Sequence, residues 1–296
     1  MKKFPFLLMT CALALVACTP KPVAPNATQS LVVEDGGTGP VKVLMLEDPT
    51  LEAHTIFAPQ DLSAFGKKNL LPVLVWGNGA CTNSPWEHFK FLNEIASQGF
   101  LVIASGYIPM EEKPYRGPQS TSAQQIESIE WALAQNADKN SPYYGKLDID
   151  NIAAAGMSCG GLQALHMSDD ARIKTIMVMN SGYFGTDESE DKASLAKLKQ
   201  KSIIWILGGS TDIAWENGND DFKRMAGTMP ACLVSLDGIG HGGTYMQPNG
   251  GDYAKVAGAW LKWWLKGDKE ASTMFTGSEP GVSKMAGWSI ERKNIK

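Results

Sequence analysis

The stretch AAAGMSCGGLQALHM, residues 153–167, decides the fold. An apolar run ends at Gly156, Ser158 stands in G-x-S-x-G spacing, and a helix-like segment follows Gly160. This strand–turn–helix context makes a serine a nucleophile, because the sharp turn lifts its Oγ above the sheet. A Cβ at either flanking glycine would strike the neighbouring backbone. The pattern therefore predicts a nucleophilic Ser158 rather than a small residue in a plain turn.

The rest of the chain alternates apolar runs with amphipathic stretches. The apolar runs predict strands at 41–49, 54–59, 71–79, 100–106, 149–156, 173–181, 201–209 and 230–238. The amphipathic stretches predict helices at 84–99, 122–137, 160–168 and 251–268. Continuous apolar strands separated by helices are typical of a mostly parallel sheet with helices on both faces. Since no composition shift divides the chain, we expect one α/β domain over residues 31–296.

A serine hydroxyl needs a base to remove its proton, and the sequence contains four histidines. His54 lies in an early predicted strand, before the nucleophile. His88 lies on a predicted helix, where we expect its side chain to be exposed. His166 lies on the helix after Ser158 and would point away from its Oγ. His241 lies in a Gly-rich loop between a strand and the last helix, from which an imidazole can reach the edge of the sheet. We predict His241 as the base.

The base needs a carboxylate, which should lie between serine and histidine in chain order. Asp212 directly follows the apolar strand and glycine turn of IIWILGGSTD, residues 203–212. Asp220 and Asp221 are alternative candidates. Their sequence context predicts the start of a solvated helix, where acidic residues complement the helix dipole. The sequence favours Asp212.

The oxyanion of an acyl-transfer reaction needs two backbone N–H donors. One is expected from Cys159, directly after the nucleophile. The other is expected from the Gly-rich loop after an early strand, where Gly79, Ala80 and Cys81 all remain open as the donor.

Cysteine positions raise a second question about these loops. Cys81 and Cys159 lie on the two loops that we expect to meet at the oxyanion hole, and disulfides persist in exported proteins. We predict a Cys81–Cys159 disulfide that fixes the donor loops, with Cys232 as a free thiol. The competing interpretation is that all three are small buried hydrophobic residues.

Taken together, these motifs resemble the α/β-hydrolase superfamily, and within it the dienelactone hydrolase and bacterial cutinase-like (polyester hydrolase) branch. The matching stretches are LPVLVWGNG (71–79), ASQGFLVIA (96–104), AAAGMSCGG (153–161), WILGGSTD (205–212), LDGIGHGG (236–243) and AGAWLKWWLKGD (257–268). One departure is Met157, where those cutinases typically carry histidine. The resemblance implies an α/β-hydrolase fold and a cofactor-free hydrolysis of small or polymeric carboxylic esters through an acyl-enzyme on Ser158.

Two other functions remain open at this point. A serine peptidase or amidase would use the same fold and the same three residues. A non-catalytic surface lipoprotein would keep the fold for binding alone. A comparison of nitrophenyl ester hydrolysis with peptide anilide hydrolysis distinguishes an esterase from a peptidase or amidase. Labelling of Ser158 by a fluorophosphonate distinguishes an enzyme from a non-catalytic binding protein.

The N-terminus predicts export. Residues 1–17 have a lysine-containing start and an apolar run that is too short to span a bilayer, which is typical of a signal peptide. LVAC at 15–18 resembles the lipobox of bacterial lipoproteins, which implies lipid on Cys18 and a membrane-anchored protein. Thr19, rather than Asp, implies the outer membrane if the host is Gram-negative. The Pro-, Ala- and Ser/Thr-rich residues 18–30 predict a flexible tether.

Charge and composition exclude some partners. The formal net charge is −4, and removal of the signal takes two lysines and no acids, which leaves −6. A mildly acidic chain without a basic cluster is a poor nucleic-acid binder. No His, Cys and Asp pattern has metal-ligand spacing, so we expect neither a metal nor an organic cofactor. We expect a monomer.

Overall fold

The computed structural model describes residues 29–108, 118–185, 189–225, 227 and 229–296. Its centre is one ten-stranded sheet. The strands are β1 (Gln29–Leu31), β2 (Val43–Asp48), β3 (Leu51–Pro59), β4 (Leu71–Gly77), β5 (Leu101–Ser105), β6 (Leu147–Met157), β7 (Ile173–Met179), β8 (Ser202–Leu207), β9 (Ala231–Leu236) and β10 (Trp288–Lys293). Their order is β1-β2-β3-β5-β4-β6-β7-β8-β9-β10.

The middle of the sheet is parallel from β5 to β9, and the outer strands on both sides are antiparallel. This arrangement confirms the predicted α/β-hydrolase fold. Because parallel strands end at the same edge, the loops after β4 to β9 meet there. We call this the C-terminal edge, and Ser158 lies on it.

Helices cover both faces of the sheet. On one face lie α1 (Phe89–Ser97) and α6 (Gly251–Lys266), and on the other lie α2 (Ser122–Ala137), α3 (Cys159–His166) and α5 (Trp215–Arg224). Two short helices, α4 (Glu190–Ser194) and α7 (Lys269–Ser272), complete the set. Each face has its own apolar core, as expected for strands that are buried on both sides. Within the described residues, no helix is long and apolar enough to cross a membrane.

Both edge strands of the sheet are additions to the predicted elements. The tether was expected to extend to residue 30, but Gln29 and Ser30 belong to β1 and pair with Glu47 and Leu46 of β2. The prediction missed β1 because it is three residues long and mostly polar. β10 has two apolar residues, Trp288 and Ile290, followed by three charged residues, and it pairs antiparallel with β9. The signal peptide, Cys18 and the start of the tether lie outside the described residues.

Two polar residues lie where the sequence did not place them. His88 is 1% exposed, not solvent-facing, because its ring packs between the rings of Trp76 and Tyr245, with centroids 5.3 and 4.9 Å away. Burial lowers the pKa of His88 to about 3, so the ring is neutral. Asp221 is fully buried rather than solvated, because Lys192 Nζ lies 2.7 Å from its carboxylate.

Candidate active site

Ser158 occupies a strained turn between β6 and α3. Its backbone has φ 53° and ψ −117°, a conformation that a non-glycine residue rarely adopts. The two flanking glycines make the turn possible. A Cβ on Gly156 would lie 2.2 Å from the carbonyl oxygen of Gly160, and a Cβ on Gly160 would lie 2.0 Å from that of Gly77. Glycine is therefore required on both sides of Ser158 because a side chain would clash with the backbone, as the G-x-S-x-G pattern predicts.

The three residues predicted for catalysis meet at the C-terminal edge. His241 Nε2 lies 3.0 Å from Ser158 Oγ, and His241 Nδ1 lies 2.6 Å from Asp212 Oδ1. A carboxylate only accepts hydrogen bonds, so Nδ1 carries the proton and Nε2 is free to accept the serine proton. The imidazole is a quarter exposed and its carboxylate partner is buried, so substrate can approach the base but not the acid.

Buried hydrogen bonds hold Asp212 in its ionised form. Burial opposes the charge, but donors from His241, the backbone of Ala214 and Gly208, and the side chain of Asn180 outweigh it. Their combined effect lowers the pKa of Asp212 below its ordinary value. An ionised Asp212 can fix the tautomer of His241 and stabilise the imidazolium that forms when His241 takes a proton.

The other histidines are engaged elsewhere. Both ring nitrogens of His54 lie 2.8 Å from backbone carbonyl oxygens, those of Glu52 and Gln124. His166 pairs with Asp191 on the surface. In the part of the chain that the structure describes, no three His, Cys, Asp or Glu side chains are grouped so that they could hold a metal ion.

Asn180 belongs to the site and was missed by the sequence reasoning. It directly follows β7, is fully buried, and donates from Nδ2 to Asp212 Oδ2 at 2.7 Å. Its Oδ1 accepts from the hydroxyl of Tyr245 at 2.6 Å. The only signal in the sequence is a polar residue directly after an apolar strand.

The loop after β4 forms a tight turn beside Ser158. Gly79–Cys81 is a 3₁₀ turn in which Ala80 and Cys81 both have positive φ, 50° and 51°. Asn78 Nδ2 donates to the carbonyl of Ser105 at 2.7 Å, and the carbonyl of Cys81 accepts from the backbone of Ser120 at 2.7 Å. The turn therefore keeps its backbone shape through contacts with other segments.

The structure joins the two expected donor loops covalently. Cys81 and Cys159 form a disulfide with their Cα atoms 5.2 Å apart. Cys159 is the first residue of α3, where backbone N–H groups have no partner within the helix. Gln163 on α3 donates to Cys81 Sγ at 3.0 Å, which adds a second link. Cys232 is a buried free thiol whose pKa burial raises to about 12.

Four exposed apolar side chains follow strands that end at the same edge of the sheet as the triad. Phe184, Ile213 and Met246 follow β7, β8 and β9, and they are 67%, 79% and 40% exposed. Tyr107, which follows β5, is 39% exposed. All four therefore lie on loops of the C-terminal edge. Met157 is buried and packs against the turn after β4, because a Cβ on Gly79 would come within 2.7 Å of its sulfur.

Comparison with known families adds to this geometry. Residues 17–195, more than half of the chain, match the PETase family, described as PET hydrolase-like. The match includes the Gly79–Cys81 turn and Ser158, and it ends before Asp212 and His241. A search of curated proteins found no match. The chain belongs to the PET hydrolase-like family, whose members are polyester hydrolases of the α/β-hydrolase type.

Proposed function

We propose that this protein is a serine esterase that cleaves carboxylic esters through an acyl-enzyme on Ser158. The observation that carries the proposal is the unbroken hydrogen-bond chain from Asp212 through His241 to Ser158 Oγ, with steps of 2.6 and 3.0 Å. Such a chain supplies the base, and the group that orients it, to an otherwise weak nucleophile.

In the first half-reaction, Ser158 Oγ attacks the ester carbonyl carbon while His241 Nε2 takes its proton. The carbonyl electron pair moves onto oxygen, where the N–H of Cys159 and one N–H of the Gly79–Cys81 turn stabilise the charge. The intermediate then collapses, the bond to the alcohol oxygen breaks, and His241 gives its proton to that oxygen. The acyl group remains on Ser158.

Water completes the cycle. His241 takes a proton from a water molecule whose oxygen attacks the acyl carbon. Collapse of the second intermediate breaks the bond to Ser158 Oγ, which recovers a proton from His241, and the carboxylic acid leaves. Asp212 stays ionised throughout and balances the positive charge on His241.

We call the exposed side chains of Tyr107, Phe184, Ile213 and Met246 the apolar rim. This rim supports an apolar ester as the substrate. Phe184 and Ile213 expose most of their surface next to the elements that carry the triad. Apolar residues that are exposed together at one edge of a fold are typical of a site that binds an apolar ligand. Membership of a polyester hydrolase family favours a polymeric ester, and a small ester of similar polarity would use the same rim.

Two measurements on the full chain test this proposal. We expect turnover of nitrophenyl esters across acyl-chain lengths, little turnover of matched peptide anilides, and labelling of Ser158 by a fluorophosphonate. Ser158→Ala is the control and should lose both turnover and labelling. Preference for the anilides would favour a peptidase or amidase. Absence of both turnover and labelling in a folded protein would favour a binding protein.

We also propose that the protein is an exported lipoprotein, anchored through Cys18 to a bacterial membrane, the outer membrane if the host is Gram-negative. The support is the signal-like segment 1–17, the lipobox-like LVAC at 15–18, and the polar composition of the residues that follow. An anchored esterase of this kind would act on substrates at the cell surface or in the periplasm.

A further inference from the structure

Asn180 connects the loop that carries the acid to the loop that carries the base. Its Nδ2 lies 2.7 Å from Asp212 Oδ2 and 3.3 Å from the carbonyl of Gly240, the residue before His241. Its Oδ1 accepts from Tyr245, four residues after His241. One amide group therefore contacts Asp212 itself, the backbone just before His241 and a side chain just after it.

The two oxygens of Asp212 divide these contacts. Oδ1 faces His241 and the backbone N–H of Ala214, while Oδ2 accepts from Asn180 and the backbone N–H of Gly208. Removal of the Asn180 donor leaves one oxygen with a single partner. Three hydrogen bonds then hold the carboxylate instead of four, and any rotation of it changes the Oδ1 distance on which His241 depends.

Tyr245 fixes the orientation of the Asn180 amide. A tyrosine hydroxyl can donate to the amide oxygen, so this contact places the amide NH₂ group toward Asp212. Tyr245 is 2% exposed, and burial holds its pKa well above the ordinary value, so it keeps the proton that it donates. Nδ2 also lies 3.2 Å from the Tyr253 hydroxyl oxygen.

The backbone of Asn180 is fixed as well. Its φ is 43°, a left-handed conformation that asparagine tolerates better than most residues, and its N–H donates to the carbonyl of Ile206 on β8 at 2.8 Å. The ends of β7 and β8 are thus tied together directly below the carboxylate. A residue in strained backbone persists only where its surroundings hold it.

We propose that Asn180, oriented by Tyr245, is a positioning residue that locks the Asp212 loop to the His241 loop. The proposal rests on the proposed esterase function. A misplacement of reacting groups by about 1 Å costs on the order of 10²-fold in rate. We therefore expect Asn180→Leu to lower kcat by about 10- to 100-fold and to change KM by less than about twofold, since Asn180 does not line the substrate side.

The experiment compares the full chain with Asn180→Leu, Tyr245→Phe and Thr175→Val. Thr175→Val is the matched control, because Thr175 is equally buried on β7 and bonds Ser202 and Trp260 away from the triad. We expect the kcat loss in Asn180→Leu, a smaller loss in Tyr245→Phe, and none in Thr175→Val. Thermal unfolding of each variant shows whether the stability losses are similar.

A second readout does not depend on turnover. The His241 Nδ1 proton in its short bond to Asp212 should give a strongly downfield proton NMR signal, identified by its absence in His241→Ala. We expect this signal to move or broaden in Asn180→Leu and Tyr245→Phe and to persist in Thr175→Val. If Asn180→Leu does not fold, Tyr245→Phe carries the test.

Failures of the two proposals are distinguishable. A wild-type protein that neither cleaves esters nor reacts with a fluorophosphonate contradicts the proposed function, and the NMR signal still tests the role of Asn180. A wild-type esterase whose kcat and NMR signal are unchanged in both Asn180→Leu and Tyr245→Phe contradicts the positioning role. Equal kcat losses in Asn180→Leu and Thr175→Val contradict it too, because they point to a general effect of stability.

Discussion

At the scale of single residues, Asp212 links the site to the stability of the fold. Its hydrogen bonds lower its pKa below 3.8, so just below pH 3.8 the unfolded chain binds more protons at this position than the folded chain. Stability from the ionised form is therefore present above that pH and is lost as pH falls through the folded pKa. The same bonds that orient the base make folding sensitive to acid.

We expect Asp212→Asn to remove part of this acid sensitivity. Urea unfolding of wild type should lose free energy as pH falls from about 5 to 3, and the variant should lose less over the same range. Asp150→Asn, which changes an exposed carboxylate, is the control and should follow wild type. Identical pH slopes for wild type and Asp212→Asn would show that the carboxylate is not held in its ionised form by the fold.

The residues differ in how far the sequence predicts them. Ser158, Asp212 and His241 could be placed because each follows a strand in the chain order that the resemblance implies. Asn180 could not, since its role depends on three segments that meet only in space. Asp221 and His88 were placed wrongly for a related reason. Whether a polar side chain is buried depends on distant partners, here Lys192 for Asp221 and the rings of Trp76 and Tyr245 for His88.

At the scale of elements, the disulfide stabilises a strained turn. Ala80 and Cys81 both have positive φ, which costs free energy in non-glycine residues. The Cys81–Cys159 bond holds this turn against the start of α3, and it closes a sequence separation of 78 residues. Hydrogen bonds from Asn78 to Ser105 and from Ser120 to Cys81 also hold this turn. Loss of the disulfide removes one of its supports and lets the N–H groups that we propose as oxyanion donors shift.

We expect reduction of the disulfide to lower kcat more than it raises KM. Dithiothreitol should also lower the free energy of unfolding by ~2–4 kcal/mol, the usual contribution of a native disulfide. The measurements are ester turnover and urea unfolding before and after reduction, with alkylation to confirm two new thiols. Cys232→Ala is the control and should keep full activity and the same response to reductant. Reduced wild type with unchanged kcat would show that the turn holds its shape without the bond.

The contact between α4 and α5 depends on a buried ion pair. Lys192 Nζ lies 2.7 Å from both Asp221 and the partly exposed Asp220. Asp221 also accepts from the backbone N–H of Tyr183, which anchors the loop after β7. Burial raises the pKa of Asp221 to about 6 despite the nearby Lys192 ammonium. At neutral pH the ionised Asp221 carboxylate therefore depends on Lys192 to balance its charge.

We expect Lys192→Met to destabilise the fold by ~3–5 kcal/mol, because it leaves a buried carboxylate unpaired. Lys192→Met with Asp221→Asn should recover much of this loss, because the unpaired charge is gone. Lys255→Met is the matched control. It breaks an exposed pair with Asp252 and should cost less than about 1 kcal/mol in urea unfolding. Similar losses for the two single variants would mean that the Lys192 pair is not effectively buried.

At the scale of the whole molecule, the parallel centre of the sheet was predictable and its edges were not. Central strands such as β4 and β8 are buried along their whole length, and they read as continuous apolar runs. The edge strands β1 and β10 contain polar residues and are recognised only by their pairing with β2 and β9. The pairing of β1 places Gln29 and Ser30, which composition assigned to the tether, in the sheet.

The register of β1 shows where the chain enters the fold. Gln29 pairs with Glu47 near the end of β2, and Glu47 accepts from the backbone of Ile108 just beyond β5. Since β2 runs in the same direction as β5, both ends lie at the C-terminal edge. Cys18 is 11 residues before Gln29, a span of at most about 40 Å. A lipid on Cys18 would therefore keep the start of β1 within about 40 Å of the bilayer.

We expect Cys18→Ser to leave the membrane fraction, because stable attachment needs more than one acyl chain and this cysteine is the predicted site of all of them. Fractionation of cells that express each variant, followed by a fluorophosphonate label, measures both location and activity. Cys11→Ser is the matched control, since it changes a cysteine within the signal-like segment, and it should stay with the membrane. The released protein should keep its ester turnover, because the triad lies outside the tether. If Cys18→Ser remains membrane-bound, another segment provides the attachment and the lipobox interpretation is wrong.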